Sequence, residues 1–145
     1  MPDLRVLVKA LQDLSSRLKK LETREIANVR FINNAGVALV SNDIVCVDNT
    51  LARSVRKASV GDVGLMIVVA GGVNGDMVSC ATKGYGIVHP TCDGAAINIG
   101  DYIGASSTTP GNGEALGAPT LETVLGIALE SKAGAAVQAI DVMLV

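Results

Sequence analysis

Leucines recur at heptad spacing along the N-terminal segment of the chain. They alternate at intervals of three and four residues over three heptads, at Leu4, Leu7, Leu11, Leu14, Leu18 and Leu21. This repeat is typical of the a and d positions of a coiled coil, because it keeps one apolar stripe facing a partner helix. The spacing therefore predicts a coiled-coil oligomerisation helix over residues 1–27.

Polar and charged residues flank this leucine stripe and keep it narrow. With Leu4 at position a, Arg17 falls at position g and Glu22 at the following position e, where the two side chains pair between neighbouring helices. A helix that packs on its own domain usually presents a wider apolar face, but Ser15 and Lys19 lie beside the stripe here. We therefore favour self-association over packing within the chain. Leucine at both a and d leaves dimer, trimer and tetramer open.

The rest of the chain follows a different pattern. After about Asn28 the helical period ends, and short apolar or alternating runs are separated by Gly, Asn and Asp. The runs recur about every 8 to 12 residues, which is typical of an all-β sandwich or barrel. We expect a mainly β protein, with a compact β-sandwich or barrel over residues 28–145 preceded by the N-terminal coiled-coil helix.

A short motif recurs at the start of several of these runs. A turn residue is followed by an aspartate and then by apolar residues in "NDIV" at Asn42, "GDMV" at Gly75 and "GDYI" at Gly100, and partly in "GDVG" at Gly61. Gly and Asn tolerate tight-turn geometry, and Asp accepts local backbone hydrogen bonds. The motif predicts turns at which strands begin, so these aspartates are interpreted as structural rather than catalytic.

Charge and hydropathy narrow the class of partner. No uninterrupted apolar run reaches the ~18 residues of a membrane span, and the charged N-terminus does not resemble a secretory signal, so we expect synthesis in the cytoplasm and no membrane partner. Residues 1–30 carry seven basic and four acidic side chains, and the remainder carries five and ten. A basic segment can bind nucleic acid, but its alternation with leucines favours the solvated face of a helix. Nucleic acid is therefore a disfavoured partner.

The cysteines predict neither a disulfide framework nor a metal site. Three of them, Cys46, Cys80 and Cys92, form an odd number in a chain without an export signal. We interpret them as reduced, mostly buried thiols. His89 stands three residues before Cys92, but the spacing matches no zinc finger or ribbon, so no metal is expected.

The candidates for catalysis lack partners in the sequence. His89 is the only histidine, so a nucleophile at Cys92 or Ser106 would depend on it as the base. The glycine-rich run "AGGVNGD" at Ala70 has no lysine and no following helix, which a phosphate-binding loop requires. We therefore interpret "HPTC" and "AGGVNGD" as turns and expect neither a cofactor nor a small-molecule substrate.

Three glutamates could be proposed as a carboxylate pair for glycoside hydrolysis: Glu114, Glu122 and Glu130. Sugar sites usually include aromatic platforms, and only 2% of the residues are aromatic. The same shortage disfavours binding of single-stranded nucleic acid, which relies on base stacking.

The C-terminal half carries a resemblance to a known class. The run "GDYIGASSTTPGNGEA", followed by "VLGIALESKAGAAVQAIDVMLV", resembles a β domain of tailed-bacteriophage virion proteins of the capsid-decoration, head-fibre and tail-fibre types. The runs "NDIVCVD" and "GDMVSCATKGYGIV" fit the earlier part of that domain, and "LVKALQDLSSRLKKLETRE" resembles its short stalk. The three cysteines have no place in the pattern.

The resemblance implies a non-enzymatic structural protein of a virion, usually a homotrimer. Its expected partners are other copies of itself and the major capsid or other virion proteins, and its expected location is the virion surface. The scarcity of aromatic residues favours a capsid decoration or head-fibre role. The alternatives are a tail-fibre or adhesin segment that binds a host ligand, a cytosolic coiled-coil adaptor, and a hydrolytic or self-cleaving domain that uses His89, Cys92 or Ser106.

Overall fold

The N-terminal helix predicted from the leucines is present. Helix α1 runs from Leu4 to Glu25. The structure, a computed structural model, describes residues 4–25, 29–82 and 85–145, with the side chains of α1 described as far as Leu18. The predicted boundary between helix and β domain at residues 27 and 28 lies outside the described residues and stays a prediction.

Five strands follow the helix and close into a barrel. Their order around the barrel is β1-β3-β2-β4-β5. Strand β1 closes it, because it pairs in parallel with β3 on one side and antiparallel with β5 on the other. The strands are β1 (Val29–Asn33), β2 (Ile44–Asp48), β3 (Ser54–Lys57), β4 (Met66–Ala70) and β5 (Met77–Ala81).

The second half of the chain forms a seven-stranded mixed sheet of short strands. Its order is β11-β7-β9-β8-β10-β12-β6, and β7 and β9 are its parallel pair. The strands are β6 (Ile87–Val88), β7 (Thr91–Cys92), β8 (Tyr102–Ala105), β9 (Gly113–Ala115), β10 (Gly126–Ala128), β11 (Gln138–Ala139) and β12 (Val142–Leu144). The mainly β prediction is thus confirmed, as a barrel joined to a sheet.

Two hydrophobic clusters hold these parts together. Strand β2 shows the division, because its successive side chains point to opposite faces. Val45 belongs to the cluster inside the barrel, together with Val55 and Val78. Ile44 and Cys46 belong to a larger cluster that also contains residues of the seven-stranded sheet. Since both faces of β2 are buried, its sequence "IVC" is continuously apolar rather than alternating.

The repeated aspartate motif forms turns of one kind. The residue before each aspartate has a positive φ, 75° at Asn42, 93° at Gly75, 92° at Gly100 and 85° at Gly61. Each aspartate donates its N–H to the carbonyl three residues earlier, at 3.0–3.2 Å. This is the geometry of a type II turn. The predicted turns are confirmed, and strands β2, β5 and β8 begin directly after three of them.

Candidate oligomerisation surface

The leucine stripe of α1 is exposed to solvent. The leucines at positions a and d form the seam of the predicted coiled coil. More than half of the surface of each seam leucine with a described side chain is accessible, from 52% at Leu18 to 72% at Leu4. Val8, at the neighbouring position e, is also exposed. The β body therefore does not bury this stripe, and the interpretation of α1 as a helix packed on its own domain receives no support. The side chains of Leu21 and Glu22, which belong to the predicted seam, lie outside the described residues.

Arg17 is exposed beside this stripe, at the position predicted for a pair between helices. Within the described side chains of α1, residues 4–18, no ion pair involves it. The heptad pattern pairs Arg17 with Glu22 of a second helix, and this pairing stays a prediction.

The outer face of the seven-stranded sheet carries a second exposed apolar surface. Ile127 of β10 lies opposite Tyr102 of β8 and opposite Met143 of β12. Met143 in turn lies opposite Ile87 of β6. Tyr102, Met143 and Ile87 are 42–53% exposed. These four side chains form one row across four neighbouring strands, which we call the sheet row.

The loop between β8 and β9, which lies within the run "GDYIGASSTTPGNGEA", folds over a buried polar cluster. The Ser106 hydroxyl donates to an Asp93 carboxylate oxygen at 2.5 Å and accepts from the N–H groups of Thr108 and Thr109 at 3.1 and 3.2 Å. Asn112 donates to the other Asp93 oxygen at 3.1 Å. Ser106 and Asp93 are 2% and 5% exposed. The serine is thus shielded from solvent and already hydrogen-bonded to its own loop, which is a structural arrangement rather than that of a nucleophile.

The proposed histidine–cysteine pair is not assembled. His89 Nδ1 lies 2.6 Å from an Asp141 carboxylate oxygen, and the histidine side chain is 57% exposed. Cys92 is completely buried and donates to the Pro90 carbonyl at 3.7 Å. Burial, with a smaller contribution from the nearby Asp93 charge, raises the pKa of the Cys92 thiol to about 12. A neutral, buried thiol is a poor nucleophile.

The other two thiols are also buried and free, as predicted. Burial raises the pKa of Cys80 to about 11. Burial is also the largest cause at Cys46, where the neighbouring Asp62 adds to it and the pKa again rises to about 11. Native cysteines with these properties are expected to resist thiol reagents.

The three candidate glutamates make separate structural contacts. Glu114 accepts a hydrogen bond from the Ser107 hydroxyl at 3.0 Å. Glu130 accepts from the Asp141 N–H at 2.6 Å. The backbone carbonyl of Glu122 accepts from Gly64 at 3.2 Å. Nothing in these contacts brings two of the carboxylates to one substrate site.

Lys132 is a buried charge that sequence reasoning did not single out. It is 2% exposed, and its Nζ donates to the carbonyls of Gly134 and Gly94 at 2.6 and 3.2 Å. Its backbone also pairs with Ile97. The lysine therefore ties two loops of the sheet together. No local pattern distinguishes it from a surface lysine in the run "ESKAG".

Arg56 and Asp62 form a bidentate ion pair on the barrel. The two guanidinium nitrogens lie 2.7 and 3.0 Å from the two carboxylate oxygens. The hydrogen bond from Arg56 is the largest cause that lowers the pKa of Asp62 to about 2, and the Ser59 N–H also contributes. The pair fixes the turn over residues 59–62, one of the four aspartate turns.

Two further properties bear on the class of function. Across the described ranges 4–25, 29–82 and 85–145, no three His, Cys, Asp or Glu side chains are grouped so that they could hold a metal ion. In the same part of the chain, no helix has the length and apolar character to cross a membrane.

Comparison with protein families and with curated proteins adds no relative to this picture. No protein-family model matches the chain, and no curated protein is significantly similar to it.

Proposed function

We propose that this protein is a non-enzymatic structural component of a virion. It assembles as a homotrimer through α1 and binds the capsid surface as a decoration or head-fibre protein. The observation that carries the proposal is the exposed leucine stripe, because an apolar heptad seam that its own domain leaves open is typical of a helix with partner helices.

The charges beside the seam favour a parallel assembly. In a parallel coiled coil a residue at g lies beside the following e of the neighbour, which places Arg17 of one helix beside Glu22 of the next. The trimer rather than the dimer follows from the resemblance to virion β domains, since the leucines leave the number of strands open.

The side chains that sequence reasoning offered for catalysis support a structural role. Ser106 and Asp93 satisfy the buried side of one loop, and Cys92 is enclosed in the core between barrel and sheet. Within the described residues, the charged partner of His89 is Asp141. Each of these groups already has a structural use.

The first test is the native mass. Light scattering on the full chain should give three times the chain mass of 14.8 kDa. A monomer would contradict the proposal.

The second test is the particle. Quantitative mass spectrometry of purified virions from a phage that encodes this protein should find hundreds of copies per particle. A handful of copies would favour the tail-fibre alternative, and absence from particles would overturn the virion assignment. An adaptor in the cytosol would instead bind acidic partners with an affinity that falls steeply with salt.

A further inference from the structure

We infer that an apolar face centred on Leu121 is the contact between the β bodies of neighbouring copies. This inference rests on the proposed homotrimer and adds a second interface to it. The Leu121 face consists of Leu121 with the residues that flank it, Val63, Leu65, Tyr102, Pro119, Val124 and Val145.

Leu121 projects into solvent from a hydrogen-bonded turn, and we call its side chain the knob of this face. It is 92% exposed, more than any other large apolar side chain in the described residues. The turn beneath it is closed by the Thr123 N–H, which donates to the Thr120 carbonyl at 3.1 Å, and by the Thr120 N–H, which donates to the Thr123 hydroxyl at 3.3 Å. Because the backbone of this turn is already fixed, a contact there orders the Leu121 side chain but not the chain that carries it.

Two grooves border this knob. One, of about 230 Å³, lies between Leu121 and Tyr102, and the other, of about 430 Å³, lies between Leu121 and Val63. Val124 and Val145 line both of them, and Glu122 is the charged side chain among their linings. Tyr102 also begins the sheet row, so the Leu121 face continues across strands β10, β12 and β6. Exposed apolar surfaces of this extent mark contacts with another macromolecule.

The area available on α1 indicates that the occupant is a second copy of this chain. The five leucines of the stripe whose side chains are described are 52–72% exposed and offer roughly 100 Å² each, about 500 Å² in all, whereas a standard stable interface buries about 800 Å² per partner. The seam therefore needs additional apolar contact. The helix also holds neighbouring β bodies at high effective concentration, so an apolar face on those bodies meets another copy before it meets any other protein.

The shape of the face fits a closed ring of copies. Threefold symmetry requires that one surface of each copy meets a different surface of the next. The Leu121 face supplies both, because the knob and its grooves are adjacent. Leu121 of one copy enters a groove of its neighbour, and the arrangement repeats around the axis.

The first experiment compares Leu121→Asp with Val137→Asp in the full chain. Val137 is also exposed, at 66%, but precedes β11 at the opposite edge of the sheet. We expect Leu121→Asp to raise the concentration at which half of the chains dissociate by at least tenfold, because a charge would be buried at the contact, and Val137→Asp to leave it within about twofold. Circular dichroism on both variants checks that the fold is retained, which the exposure of both sites favours.

The second experiment reads the contact directly. Leu121→Cys provides an accessible thiol, since the three native cysteines are buried. A short bismaleimide should convert it to covalent dimers, and should leave Val137→Cys uncrosslinked.

The outcomes separate this inference from the proposed trimer. If the unaltered chain is a monomer, the trimer itself is wrong. If it is a trimer but neither Leu121 variant differs from its Val137 control, the Leu121 face is not a subunit contact. If Leu121→Asp leaves the trimer intact and abolishes binding to particles, the face binds the shell instead, and the inference is likewise overturned.

Discussion

The backbone N–H of Ile44, at the start of a barrel strand, donates to the carbonyl of Gly111, at the tip of the β8–β9 hairpin, at 2.8 Å. The N–H of Gly111 donates to the carbonyl of Ala58, which directly follows barrel strand β3, at 3.0 Å. The hairpin of the second sheet thus adds hydrogen bonds to the barrel. The loop that contains Ser106, a candidate nucleophile in the sequence, thus joins the two halves of the β body.

Gly111→Ala should weaken this joint. Gly111 has a φ of 90°, which disfavours any other residue, and a Cβ there would lie 3.2 Å from Cδ of Lys57. We expect the free energy of unfolding to fall by about 1 to 3 kcal/mol, as measured by denaturant unfolding. Gly117→Ala is the matched control, because its φ is unstrained and a Cβ there meets nothing within 4 Å. Equal stabilities of the two variants would contradict the strain expected for a side chain at Gly111.

Local features of this fold were predictable because their causes lie within a few residues. The spacing of the leucines predicts α1, and the pairing of a turn residue with aspartate predicts the turns before β2, β5 and β8. The turn around Pro110–Gly113 follows from the same chemistry, since Asn112 donates to Thr109 across Gly111.

Contacts between distant residues were not predictable in the same way. The parallel pairing of β1 with β3, which closes the barrel, has no local signal. Neither does the partner of His89, because Asp141 lies 52 residues away. The sequence marked Ser106 as a hydroxyl in a loop, but only the fold brings Asp93 against it and buries both. The seam leucines are the exception, since their site is defined by a single helix.

Ser106→Ala should destabilise the protein. It would leave the N–H groups of Thr108 and Thr109 and an oxygen of the buried Asp93 without their partner, and unsatisfied buried groups are costly. We expect a loss of about 1 to 3 kcal/mol in the free energy of unfolding. Ser107→Ala is the control, because Ser107 is exposed and its side chain donates one hydrogen bond within the described residues, to Glu114. A Ser106→Ala variant as stable as its Ser107→Ala control would contradict the structural role assigned to this hydroxyl.

Asp62→Asn should alter the response to acid. The pKa of Asp62 is lowered from 3.8 to about 2 in the folded chain. Its contribution is therefore fully present above about pH 4 and is lost as the pH falls towards 2. We expect the variant to be less stable by about 1 to 2 kcal/mol at neutral pH, a difference that narrows between pH 4 and pH 2 in urea titrations.

Two arginine variants provide the comparison for this acid response. Arg56→Gln removes the partner of Asp62 and should reduce the same pH dependence. Arg53→Gln removes an exposed charge that has no salt bridge within the described residues, so its stability should follow that of the unaltered chain across the pH range. If the stabilities of all three variants depend on pH in the same way, the Arg56–Asp62 pair does not determine how the stability of the protein falls at low pH.

A double change, Leu11→Asp with Leu18→Asp, should lower the assembly state of the protein. Both leucines lie at position a, and both are more than half exposed on α1, so the change removes little packing within the chain. In an assembled seam the aspartates would be buried without partners, which is strongly unfavourable. We expect light scattering to show monomers at concentrations at which the unaltered chain is a trimer. Gln12 and Ser16 lie on the opposite, polar side of the helix, and the matched change Gln12→Asp with Ser16→Asp, which adds the same two negative charges, should leave the mass unchanged. An unchanged mass in the leucine variant as well would mean that the β bodies alone hold the copies together, and the role of α1 would have to be sought in contact with another protein.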